Sequence, residues 1–260
     1  MYNRITLFIL LTFSVKAFSQ GELNNETRVV SGNEKSYALL INSNGWGLNY
    51  RYGKRITGFK KRLFDFDFSY IKHPKEIRIQ NTYYDNQKRF VFGKLNILFT
   101  LKASIGKQKE VYSKFDKGGI AIKYFYEGGF SLAILKPIYY EVVDQSNPNP
   151  NPNTPNVIDK LFDYNIHSPA DIYGRSSFFK GITETKFKPG LFVKAGLSFV
   201  YSNQYEKINA LETGLIFDIY NKELPIMATA QNQNYLISIF ISYRFGKVGI
   251  KNKNEFVPDN

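Results

Sequence analysis

His167 and Ser168 stand side by side, with Asp163 and Asp171 close in sequence. A serine, a histidine and an acid are the parts of a hydrolase that opens esters or peptides, the histidine taking the hydroxyl proton. Adjacent residues do not let one side chain activate the other, however. Ser168-Pro169-Ala170-Asp171 reads better as the start of a short helix, with serine at the cap and proline in the first turn. The second histidine, His73, precedes Pro74 at a strand end. A lipid-modifying enzyme built on His167 is therefore the weakest reading, and no catalytic residue is assigned. No pair of histidines or acids has metal-ligand spacing, and no glycine-rich loop precedes a helix to cradle phosphate. The chain has no cysteine. That excludes a disulfide scaffold, a thiolate metal site and a lipidated cysteine anchor. No cofactor and no metal are expected.

The remaining chemistry lies in charges that recur on one side of strand-like segments. Arg62 to Lys72 alternates Phe64, Phe66, Phe68 and Tyr70 with Asp65, Asp67 and Ser69. Successive side chains of a strand point to opposite faces, so one face is apolar and the other charged. The charged faces collect Arg51, Asp65, Asp67, Lys94, Lys102, Lys123, Lys194, Glu212, Asp218 and Arg244. If those faces line a barrel of eight to ten strands, the interior is nearly filled and the charges must pair, with Asp65 and Asp67 meeting Arg51 or Lys94. The competing reading is a narrow lumen of lysine and arginine that passes small anions. Further clusters, Lys54-Arg55 with Lys60-Lys61-Arg62, and Lys107, Lys109, Lys114 and Lys117, flank two turns and are expected to contact lipid headgroups or lipopolysaccharide phosphates.

Nine segments read as strands: 37–42, 46–54, 62–72, 91–106, 120–126, 130–143, 191–201, 208–220 and 235–245. Asn42-Ser43-Asn44-Gly45 reads as a tight hairpin turn. Glu127-Gly128-Gly129 reads as another, and Pro137 predicts a bulge or kink. Since single-chain bacterial barrels favour even counts, residues 27–32 supply a tenth strand, with eight strands as the alternative. With ten, 42–45, 127–129 and 203–206 become short periplasmic turns and the basic clusters lie outside. Residues 144–190 form one long external loop with a short helix. It opens with the proline-rich spacer 147–155 and carries an apolar segment, 157–188, that caps the lumen or docks a partner subunit. Connection 73–90 fits poorly, being too long for a periplasmic turn.

Residues 1–19 have the form of a cleaved export signal: Arg4, the apolar run 5–15, then Ala17-Phe18-Ser19, with Gln20 starting the mature chain. Residues 20–246 read as the barrel and 247–260 as a C-terminal tail. The formal charge of +13 falls to +11 without the signal, which holds Arg4, Lys16 and no acid. Export argues against nucleic acid as the partner and for phosphate-rich lipid. An aromatic content of 17%, concentrated on the apolar stripes, favours an outer-membrane barrel over a soluble sandwich, because aromatic girdles mark both membrane interfaces.

Ala17-Phe18-Ser19-Gln20, Asn44-Gly45-Trp46-Gly47-Leu48, Lys72-His73-Pro74-Lys75-Glu76-Ile77 and Gly93-Lys94-Leu95-Asn96 resemble segments of outer-membrane β-barrel proteins of the Bacteroidota, over essentially the whole mature chain. The resemblance implies a fold and an address in the Gram-negative envelope, and no functional residues. The function expected is that of a non-enzymatic protein, structural or an accessory subunit of an envelope assembly or secretion complex, with 157–188 as the contact to other subunits. A narrow anion-preferring pore is the alternative.

Overall fold

The computed structural model describes residues 32–84, 88–114, 118–147, 149, 155–202 and 206–249. The export signal, most of 27–32 and 147–155, Lys117, and the tail beyond 249 lie outside the described residues. The chain forms β1 (Glu34–Asn42), β2 (Gly45–Arg55), β3 (Lys60–Ile71), β4 (Arg78–Ile79), β5 (Phe90–Val91), β6 (Asn96–Tyr112), β7 (Ala121–Pro137), β8 (Tyr139–Val143), β9 (Val157–Leu161), β10 (Ile172–Arg175), β11 (Lys186–Val200), β12 (Lys207–Tyr220) and β13 (Tyr235–Val248). Eight of them close an antiparallel barrel in the order β1-β13-β12-β11-β7-β6-β3-β2. The others build a small sheet, β10-β8-β9, and the pair β4-β5.

The barrel has eight strands, not ten, and one misread turn accounts for the false ninth. Glu127-Gly128-Gly129 lies inside β7, which runs unbroken past it. Neither glycine adopts a positive φ. A β-carbon at Gly129 would stand 2.0 Å from the carbonyl oxygen of Ala103 on β6. Gly129 therefore permits close approach of the neighbouring strand, a use that in sequence resembles a turn. Pro137 ends β7, and after Ile138 the chain continues as β8. The expected helix at 168–171 is a turn: Ser168 donates to the Asp171 carboxylate from its N–H, at 2.9 Å, and its hydroxyl, at 2.7 Å. Among the described residues of this loop the helical element is one 3-10 turn, Ile182–Glu184.

Alternation is realised with the apolar face outward. Leu39, Leu48, Phe66, Leu101, Leu191, Val193, Leu215 and Ile239 are exposed on the wall, Phe66 by 60%. Their neighbours on the other face, including Arg51 at 0%, are buried inside. Aromatics form two bands on the wall. Trp46, Tyr70 and Phe99 touch near one end. Tyr37, Tyr50, Phe245 and Tyr243 touch nearer the other, as do Tyr52 and Phe64.

Glu34 pairs with Val248, so both ends of the described chain leave the barrel at the same rim. That rim carries the short connections 56–59, 113–120 and 201–206. The opposite rim carries the two-residue turn Ser43-Asn44 and the long connections 72–95, 138–185 and 221–234. This reverses the sequence expectation for several segments. The 42–45 turn lies away from the chain ends, and the clusters 54–62 and 107–114 lie beside them. Dropping the extra strand also puts the long 72–95 connection among the other long loops.

Candidate functional site: a charge lattice in a capped barrel

The lumen is layered. Its middle holds Arg51, Asp65, Asp67, Lys102, Lys194, Glu212, Asp218 and Arg244, all buried. The Arg51 guanidinium lies 2.8 Å from Asp65 and 2.9 Å from Glu212, with its Cζ 4.8 Å from the centroid of the Phe125 ring. Arg244 reaches the same Glu212 oxygen at 2.9 Å and donates to Ser36 and to the Asn49 side-chain carbonyl. Asn49 in turn donates to Asp65 and Asp67. Lys102 pairs with Asp218 at 2.7 Å. These groups come from neighbouring and opposing strands, and each cation meets at least one carboxylate, as burial requires.

Glu127 belongs to this lattice and not to the turn that its Gly-Gly neighbours suggest in sequence. The Lys194 ammonium lies 2.9 Å from Glu127 and 3.4 Å from Asp67. The Asp65, Asp67 and Glu127 carboxylates converge to within 4.8 Å of one another, the kind of cluster that could ligate a metal. Lys194, also 3.9 Å from Asp65, already supplies the cation there. Two expected lattice members sit elsewhere. Lys94 lies at the loop-side rim and pairs with Glu76 at 2.6 Å, not with Asp65 or Asp67. Lys123 lies toward the chain-end rim and pairs with Glu110 at 3.2 Å. Sequence alternation does not reveal Glu76, which lies in the 72–95 connection, or Glu110, which lies in β6 beyond its alternating apolar stretch.

Above the lattice the lumen becomes apolar. Ile71, Leu98, Leu135 and Tyr220 from the barrel pack with Leu224, Ile226 and Met227 of the 221–234 connection. This cap is tied to the rim by backbone bonds, Leu95 N to the Ile226 carbonyl at 2.9 Å and Ala228 N to the Gly93 carbonyl at 2.7 Å. Gly93 takes φ +77° there, a left-handed conformation that glycine adopts at little cost. The Asn232 side chain fastens the cap internally, accepting from Ile226 N and donating to the Met227 carbonyl. Residues 157–188 do not close the lumen. Their β9 and β10 flank β8, and Phe162 and Ile172 pack with Phe90, Ile97 and Tyr140. Tyr164, Ile166 and Phe179 stay exposed.

His167 is held structurally. Its Nδ1 accepts the Asp163 N–H at 3.0 Å, while Asp171 is engaged by Ser168. It lines an open cleft of about 610 Å³ with Leu95, Phe162 and Tyr164, and no serine–histidine contact forms there. The basic residues Lys54, Arg55, Lys60, Lys61 and Arg62 surround the β2–β3 turn; Lys61 reaches back to Glu34.

No protein-family model matches the sequence, and no curated protein matches it. Among solved structures the chain is similar to the attachment invasion locus protein of Yersinia pestis. The identity is 9% and the TM-score 0.40, over 83% of this chain and 98% of that one. It is also similar to Neisserial surface protein A, at 12% identity and a TM-score of 0.38, over 84% and 96% of the two chains.

Proposed function

We propose that the chain is an outer-membrane β-barrel with a closed lumen and a non-enzymatic role, structural or accessory to a larger envelope assembly. The observation that carries this is the inverted polarity of the barrel. A barrel in water buries its apolar face; here Phe66, Leu101, Leu191 and Ile239 face out while Arg51, Glu212 and Arg244 face in. Such a wall is favourable only against hydrocarbon. Short turns at the chain-end rim and long loops at the other give the usual orientation, with the chain ends in the periplasm. The Bacteroidota envelope is the setting we favour, on the sequence resemblance. An accessory role draws support from Tyr164, Ile166 and Phe179, exposed on the loop-side extension, because exposed apolar patches mark interaction surfaces.

A pore is the less favoured reading. The buried lattice has five carboxylates, Asp65, Asp67, Glu127, Glu212 and Asp218, against the four cations Arg51, Lys102, Lys194 and Arg244, which is the wrong balance for an anion channel. Its mouth is also filled by Leu224, Ile226 and Met227. The test is fractionation of expressing cells together with Phe66→Arg. The native protein should sediment with the outer membrane, and the arginine should impair assembly by about 2–4 kcal/mol for a midplane position. Native protein recovered from the soluble periplasm would overturn the reading.

A further inference from the structure

We infer that the chain-end rim of the barrel wall carries a binding surface for anionic phospholipid headgroups, centred on β2, β3 and β6. This rests on the membrane reading above and names a lipid class and a location on the wall.

The strand register places like charges directly opposite one another. Lys54 faces Arg62 across β2 and β3, and Arg62 faces Lys107 across β3 and β6. One row further toward the rim, Lys60 faces Lys109. All five point outward and are exposed. Like charges in directly opposed cross-strand positions destabilise a sheet, so the arrangement calls for a counter-charge. Among the described residues no carboxylate forms an ion pair with any of the five. The nearby acids Glu34 and Glu110 turn instead to Lys61 and Lys123. The pattern repeats around the same rim, where Lys247 faces both Lys35 and Lys207.

What lies next to the cations identifies the anion. The adjoining outward row on β2, β3 and β6 is Tyr52, Phe64 and Ile105. On β7, Tyr126 faces Lys107 and Tyr124 faces Lys109. A free phosphate or an acidic peptide would use only the charges. A diacyl lipid with a phosphate headgroup satisfies both features, its phosphate among Lys54, Arg62 and Lys107 and its acyl chains along Phe64 and Ile105. The height agrees. Trp46 to Lys54 and Tyr70 to Arg62 are each eight residue steps, about 27 Å of strand. At a tilt of about 40° that spans roughly 21 Å of membrane, close to the ~25 Å apolar band of such barrels. The five cations therefore sit at headgroup level, in the leaflet on the chain-end side.

The experiment reconstitutes the full chain in phosphatidylcholine vesicles containing trace spin-labelled lipid. Electron paramagnetic resonance then compares immobilisation of labelled phosphatidylglycerol with labelled phosphatidylcholine. The native protein should prefer phosphatidylglycerol by at least about fivefold at low salt, the scale expected from one or more basic residues at a membrane surface. The preference should shrink as salt is raised. Lys54→Gln/Arg62→Gln/Lys107→Gln should bring it close to one. Lys75→Gln/Lys160→Gln/Lys222→Gln, which removes as much charge from the loop-side end, should leave it intact. The inference is overturned if the inserted native protein shows no preference, or if the loop-side variant loses the preference and the rim variant keeps it. Failure of the native protein to insert at all, seen as no flotation with the vesicles, would refute the membrane reading itself and this inference with it.

Discussion

Arg51 is the residue on which the lumen turns. Its guanidinium joins Asp65 on β3 to Glu212 on β12, two strands that do not pair with each other. Removing it leaves carboxylates buried without their counter-ion, and breaking a buried pair from one side costs about 3–5 kcal/mol. Arg51→Met should therefore lower resistance to urea unfolding in detergent micelles by that amount. At the loop-side end, Asp171 gives a second residue-scale prediction. Hydrogen bonds from the Ser168 hydroxyl and N–H hold its carboxyl below the usual 3.8. A carboxyl whose pKa is depressed on folding contributes stability above its unfolded pKa, and loses it as pH falls through the folded value. The 163–171 turn should therefore persist at pH 5 and loosen below about pH 4. Ser168→Ala should move the Asp171 titration upward when followed by carboxyl NMR; an unchanged titration would refute the contact.

Gly129 acts at the scale of the element. A β-carbon there would meet the Ala103 carbonyl oxygen and, at 2.6 Å, the Ser104 α-carbon. Gly129→Leu should force β6 and β7 apart and reduce the folded yield, whereas Gly128→Ala, where the nearest atom would be 3.6 Å away, should be tolerated. The same contrast explains a limit of the sequence reading. Alternation marked β3, β6, β11 and β13 because each keeps one face apolar for many residues. Gly-Gly in β7 interrupts that signal with residues that also serve turns, and only the neighbouring backbone distinguishes the two uses. The cap was illegible for a related reason. Leu224, Ile226 and Met227 follow no strand period, and their partners Leu98 and Leu135 lie far away in the chain.

For the whole molecule, conductance is the property that separates a closed barrel from a channel. Planar-bilayer recordings of the native protein should show no steady current. Deleting 147–181, which spares β11, should leave that silence intact, because Leu224, Ile226 and Met227 close the mouth and Arg51, Lys194 and their carboxylates fill the middle. A steady current after the 147–181 deletion would mean that the extension seals the lumen after all. The sequence by itself determined that this chain has long antiparallel strands with one apolar and one charged face, because a period of two is a local property of consecutive residues. It also marked most of the charges that enter the lumen. Only the tertiary structure decided the strand count, which rim carries the chain ends, the place of Glu127, and which connection closes the barrel. Those depend on register and closure, which bring together groups such as Arg51 and Glu212, 161 residues apart, and no local pattern encodes that distance.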